Sequence, residues 1–343
     1  MPITPTVVQD FETRVHTIAQ DEYLRLTQHL WWQQVATVKQ SLGQKEYFNW
    51  LLNTVQIMDQ GLGGNIAFSD LVTEATTVEN RDAGIGLKLR KQQLDDVFNG
   101  IKGGLGYQLG AEWAKQVGAY MAYWPQKKTV DILKNGHTVA LYPAYTTKAL
   151  FATDHPLNPY NLAAGTYKNL FTGGDAADIS TAVTTDVALA NMSKVFSLIA
   201  TIKQANGEDP RYLRPKAILC SPKLFPRVVQ LTSAKFIAQA AAAGGGGADV
   251  EALIRALGYG TPIMVDELAG FESDTTWFVV AEQLAASELG GIVYLEREPF
   301  SINQYGVMTD AELSRSQTLE WHCHGRNGIA PGHPFLIFKV KAA

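Results

Sequence analysis

The chain has 343 residues, 46% of them hydrophobic and 18% charged, with a formal net charge of −4. This excludes a disordered chain, and 30 glycines and 14 prolines are too few for a collagen-like or low-complexity architecture. The acidic balance argues against a global electrostatic grip on nucleic acid, and the only cysteines, Cys220 and Cys323, require no disulfide framework. The length fits two or three domains or one large one. The N-terminus lacks a basic start followed by an apolar run, so no secretory signal is expected. The longest apolar candidate, residues 277–295, is broken by Glu282, Glu288 and paired glycines, so a soluble cytoplasmic protein without a membrane span is expected.

In chain order, Phe11, Val15, Ile18, Leu26 and Leu30 recur at helical offsets and predict a helix over 9–34, ending in Trp31 and Trp32, which suit core or interface packing. Residues 59–98 begin with the turn cluster DQGLGG. Two extended stretches follow, about 65–80 and 85–92, the second alternating Ile85, Leu87 and Leu89 with Gly86, Lys88 and Arg90. They read as a long charged hairpin with too little apolar surface for a core of its own. Leu105, Leu109, Trp113, Val117 and Met121 mark a helix over 105–124, which Pro125 is expected to end. Gly106, Gly110, Ala114 and Gly118 form a second stripe on it. Glycine costs about 1 kcal/mol against alanine inside a helix, so the stripe implies a closely packed neighbour.

Residues 135–180 are rich in turn formers. A helix over 184–204 follows, with Thr184, Thr185 and Asp186 at its start. From 215 short strands and helices alternate: strand 217–220, a helix opened by Ser221-Pro222, the loop AAAAGGGG at 240–247, a helix at 248–257, and strands 263–265, 277–280 and 291–295. Polar strand material around 313–322 and an apolar finish at 335–340 close the chain.

The densest reactive set is Trp321-His322-Cys323-His324. In a strand, His322 and His324 share one face and Cys323 takes the other, so three adjacent metal ligands are awkward. Asp154-His155-Pro156 resembles a dyad fragment, but adjacent side chains do not orient one another as a triad requires, and loop hydrogen bonding is the expectation for His155. The GLGG, GGLG and GGGG runs lack the lysine and flanking elements of a phosphate loop. Asp95 and Asp96 read as helix-start charges. Lys88, Arg90 and Lys91 suit either nucleic acid or an acidic neighbouring subunit, and net acidity favours the neighbour. No catalytic residue, metal ligand or cofactor site emerges.

The order of parts resembles the Hong Kong 97-type capsid fold, an α+β class, and more narrowly the Mu-like phage major head subunit family. The similarity lies in Lys45–Leu51, in Ile85–Asp96, in Leu150–Pro156 followed by Asn161-Leu162, in Arg214–Pro222 and in Gly325–Pro334. It implies an N-terminal arm at 1–58, an extended loop at 59–98, a peripheral domain with a spine helix at 99–218, an axial domain at 219–297 and returning peripheral strands at 298–343. It implies a non-enzymatic major capsid protein that forms pentamers and hexamers of an icosahedral shell in the bacterial host cytoplasm. That shell would touch packaged double-stranded DNA non-specifically, beside separate scaffold, protease, portal and decoration proteins. Arg81, Asp82, Lys88, Arg90, Lys91, Trp31 and Trp32 are the inter-subunit contact candidates. Two rival readings stay open: an encapsulin-like nanocompartment shell, and a metal-dependent enzyme using His322, Cys323 and His324.

Overall fold

The computed structural model describes residues 5–51, 73–90, 105–139, 142, 144, 147–172, 178–233, 260–283, 289–305 and 318–342. The first part of the chain gives helix α1 (Pro5–Thr27), one turn α2 (Trp32–Val35) and strands β1 (Ala36–Gln40), β2 (Lys45–Leu51), β3 (Thr73–Glu79) and β4 (Arg81–Arg90). Helix α3 spans Leu105–Asn135. Three two-residue strands follow, β5 (His155–Pro156), β6 (Thr166–Tyr167) and β7 (Leu170–Phe171), then α4 (Thr185–Ala200), β8 (Leu213–Cys220), α5 (Phe225–Ser233) and β9 (Thr261–Met264). The chain ends with β10 (Thr276–Gln283), β11 (Ile292–Tyr305), β12 (Thr318–Pro331) and β13 (Ile337–Lys341). The loop expected at 240–247, the helix at 248–257, and Asp95, Asp96, Gly61, Gly63, Gly64, Gly103 and Gly104 lie outside the described residues.

Two sheets organise these elements. One has the order β7-β13-β10-β8-β9, with β10 antiparallel to both β13 and β8. Its central strand, TWFVVAEQ, is buried over six residues because both faces are covered, and alternation assigns each face. Trp277, Val279 and Ala281 pack against Met192, Val195, Phe196 and Ile199 of α4 and Val228 and Leu231 of α5. Phe278 and Val280 point the other way, towards Trp32, Ile132 and Leu133. The second sheet, β1-β11-β12-β4, is built on two 14-residue strands. Ile302, Trp321 and Cys323 on its inner face meet Val15 and Ala19 of α1 and Ala114, Val117 and Met121 of α3. Helix α3 thus lies along both sheets, its first half on the long-stranded one and its last turns on the other.

The small-residue stripe explains how α1 fits there. A Cβ added to Gly118 would stand 2.3 Å from the Ala19 carbonyl oxygen, so only glycine lets the two backbones approach this closely. Pro125 does not end α3, contrary to the sequence expectation. An interior proline costs about 3 kcal/mol, but the turns beyond it bury Val130, Ile132 and Leu133 at 5%, 0% and 0% exposure. Each such burial is worth about 1.5–3 kcal/mol. Thr129 Oγ1 also donates to the Pro125 carbonyl at 2.9 Å.

The charged hairpin is corrected as well. Strands β3 and β4 do not pair with each other: β3 pairs with β2, and β4 pairs with β12 along ten positions. The chain changes sheets at Asn80, which is buried and therefore cannot act as a solvated hairpin turn. Strand β13, expected among the returning peripheral strands, lies between β7 and β10 in the five-stranded sheet. Strand β11 starts at Ile292, inside the range expected for the axial domain, yet belongs to the other sheet.

Candidate assembly surfaces

Strand β4 carries most of the charges expected to meet a neighbour. It is an edge of the long-stranded sheet, and among the described residues no strand pairs with its outer side. Two of its charges have partners directly across the ladder. Lys88 stands opposite Glu320 and its ammonium lies 2.7 Å from that carboxylate. Asp82 stands opposite Arg326, 3.3 Å from its guanidinium. Lys88, with His322 beside it, holds the Glu320 carboxyl below its ordinary range. Exposed pairs of this kind are screened by solvent and fix register more than they stabilise. Arg81 is exposed at the start of the strand, Arg90 closes it opposite Thr318, and Lys91 lies outside the described residues.

Trp31 and Trp32 go elsewhere. Both are buried, and the Trp32 ring lies 4.9 Å from that of Tyr294 in the core between the sheets. Their surface is used within the chain, leaving little for a neighbouring subunit.

The turn between β1 and β2 is a feature the sequence reading missed. One oxygen of the Glu46 carboxylate accepts from the Leu42 and Gly43 backbone N–H groups, both at 2.9 Å, and from the Ser41 hydroxyl at 2.8 Å. The bonds from Gly43, Ser41 and Leu42, in that order, hold this carboxyl below its usual range. From the other side, Asn80 Nδ2 donates to Ser41 Oγ at 2.7 Å and to the Gly43 carbonyl at 2.8 Å. Ser41 N and Gln40 Nε2 tie the turn to the Glu296 carbonyl and carboxylate, at 3.0 and 2.9 Å. At its tip stands Leu42, 94% exposed. The serine and asparagine that could have revealed this clamp lie 39 residues apart, and only the fold joins them.

The residues considered for chemistry do not converge. Cys323 is buried beside Trp321, and burial pushes its thiol up to about 12. His322 and His324 occupy the opposite face of β12, where His322 Nε2 lies 3.3 Å from the Glu320 carboxylate. No group of three His, Cys, Asp or Glu side chains among the described residues could hold a metal ion. His155 is fully buried, its Nε2 3.1 Å from the Leu150 carbonyl and its ring stacked on Tyr167 at 5.2 Å. Burial lowers its pKa to about 4. The neighbouring Asp154 instead pairs with Lys148. The loop is organised by Asn169, whose Nδ2 donates to the carbonyls of Leu150 and Pro334 at 2.7 and 2.8 Å. Its Oδ1 accepts from Ala152 N at 2.9 Å. No helix among the described residues is long and apolar enough to cross a membrane.

Comparison with known proteins agrees with the fold. Residues 8–179 match the family model of the Mu-like prophage major head subunit gpT, and residues 135–334 match a phage capsid protein family. No curated protein matches the chain. Among solved structures, the capsid of the cyanophage P-SCSP1u superposes with a TM-score of 0.51 at 13% identity, over 90% of this chain and 86% of that one. The mature capsid of bacteriophage PhiM1 gives 0.51 at 12% identity, over 91% and 87%. The bacteriophage JBD30 procapsid aligns over 99% of this chain and 76% of that one, at 16% identity and a TM-score of 0.46. The α+β architecture is that of Hong Kong 97-type capsid proteins. Matched over half its length by that family model, the chain belongs to the Mu-like prophage major head subunit gpT family and is a phage major capsid protein.

Proposed function

We propose that copies of this chain assemble in the bacterial host cytoplasm into pentamers and hexamers of a closed icosahedral shell, which becomes the virion capsid around double-stranded DNA. The role is structural, with no catalysis and no cofactor. The DNA is touched without sequence preference, and separate scaffold, protease, portal and decoration proteins act on the shell.

The observation that carries this reading is the arm formed by β2 and β3. These strands pair only with each other among the described residues, and Tyr47 on β2 is 66% exposed. A two-stranded ribbon is marginal alone in water, so an arm of this kind gains its burial on another molecule. The pairing supports β2 and β3 as the flanks of the extended loop, whose expected range of 59–98 lies partly outside the described residues. The sheet carrying α4 and α5 then serves as the axial domain, and the long-stranded sheet with α1 and α3 as the peripheral domain. The charges of β4 set register inside the peripheral sheet, leaving Arg81 as its candidate for contact across subunits.

The test is electron microscopy with light scattering on the full-length protein, expressed alone and with the other head proteins of its phage. Closed shells, or rings of five and six, are expected. A small discrete oligomer under both conditions would overturn the reading. Nuclease-protected DNA in particles from a lysate tests the contents.

A further inference from the structure

We propose that Leu42 is an inter-subunit anchor, held out on a preorganised turn to seat in an apolar site on a second copy of this chain. The proposal rests on the shell reading above. Leu42 is the most exposed large hydrophobic side chain among the described residues, at 94%, ahead of Leu162 at 72%. An exposed leucine by itself is unremarkable. What distinguishes this one is its mounting. Residues 41–46 are fixed by the three bonds that the Glu46 carboxylate accepts, by the two that buried Asn80 donates and by the link from Ser41 to Glu296. Two of these bonds fall on the backbone N–H groups of Leu42 and Gly43 themselves.

The clamp orders the β1–β2 turn and the Asn80 corner, and in doing so fixes the backbone that carries Leu42. It lowers the ordering cost for a side chain that docks, because the anchor is held in its bound position beforehand. The turn also joins β1, an edge of the long-stranded sheet, to β2, the first strand of the arm, so a contact at Leu42 fixes the base from which the arm departs. A second copy is the partner that the chemistry favours. Every subunit displays this leucine, so the receiving site must be present at equal number, and in a shell of identical subunits the chain itself meets that condition. A decoration protein, or a segment of the same chain folding over the turn, are the competing occupants.

The test uses the full-length protein under conditions in which the wild type assembles. Leu42→Asp should reduce the yield of closed particles by about tenfold or more, with the thermal transition of the dissociated subunit unchanged. Leu42→Met should restore yield to within about twofold, since it keeps an apolar side chain of similar volume. A photo-cross-linker at position 42 should give dimers of the chain in assembled particles and none in dissociated subunits. Normal particles from Leu42→Asp, or cross-links confined to one chain or to another protein, would overturn the anchor while leaving the shell reading intact. Failure of the wild type to form particles with its phage's other head proteins would overturn both.

Discussion

The five-stranded sheet and the β2–β3 arm are made of similar strand material but stabilised in opposite ways. In the sheet, alternate residues of β10 face two different cores, and Trp277 and Phe278 are each fully buried within one chain. In the arm, Lys45, Tyr47, Thr77 and Glu79 face outward, and among the described residues the inward side makes a small cluster of Val78 and Phe48 with Leu289, Val293 and Leu295. The sheet is buried within the subunit, whereas the arm, on the function proposed above, gains its burial when subunits meet. A substitution in the sheet should therefore be read in the unfolding of the subunit, and a substitution on the arm or its base in assembly.

The largest expected effect is in the sheet. Trp277→Ala should cost about 3–5 kcal/mol, read from denaturant midpoints of the dissociated subunit. A loss below about 1 kcal/mol would mean that this core is not the chain's main source of stability. Asn169→Ala takes their Asn169 partner from the Pro334 carbonyl and the Ala152 N–H, and leaves the Leu150 carbonyl with His155 alone. Each unsatisfied buried group costs about 1–3 kcal/mol, so a comparable loss is expected. Gly118→Val should cost about 1–3 kcal/mol by overpacking. Hydrogen exchange should locate the damage in α1, which the new side chain pushes off α3.

Acid should weaken the same region by a defined route. His155 has a pKa of about 4 when folded against 6.5 for the free side chain, so below pH 6.5 the unfolded chain takes up a proton that the folded one excludes. Stability is then lost as pH falls from 6.5 towards 4 and is level above 7. His333, lowered to about 3 by burial and by Arg211, adds to the slope. Denaturant midpoints at pH 7.5 and 5 should differ, and His155→Gln should reduce that difference without abolishing it. The smallest effect belongs to the arm: Tyr47→Asp should change subunit stability by less than about 0.5 kcal/mol while lowering the assembled fraction. Equal loss in both measurements would erase the distinction between the two regions.

The features legible in the sequence were those set by local period or local sterics. Alternation in β12 separates Cys323 from His322 and His324, and the Gly118 stripe marks a close helix contact before its partner is known. The kind and order of most elements follow for the same reason. What stayed hidden depends on distant partners. Nothing near Pro125 shows that Val130, Ile132 and Leu133 will be buried deeply enough to carry the helix past it. Nothing within 73–90 shows that its two strands belong to different sheets, because Ser41 and Gly43, which hold the Asn80 corner, lie almost forty residues upstream. Among the contact candidates, all are charged or aromatic. Charge selects residues that pair across a ladder, as Lys88 does with Glu320, and aromaticity selects core, as at Trp32. The exposed Leu42 has neither mark.

The central claim is that this subunit is folded on its own but completed by its neighbours. Electron microscopy of the full-length protein, expressed with the other head proteins of its phage, tests it most directly. Closed shells built from rings of five and six subunits are expected. A monomer or small discrete oligomer as the only product, with another protein forming the shell, would contradict it.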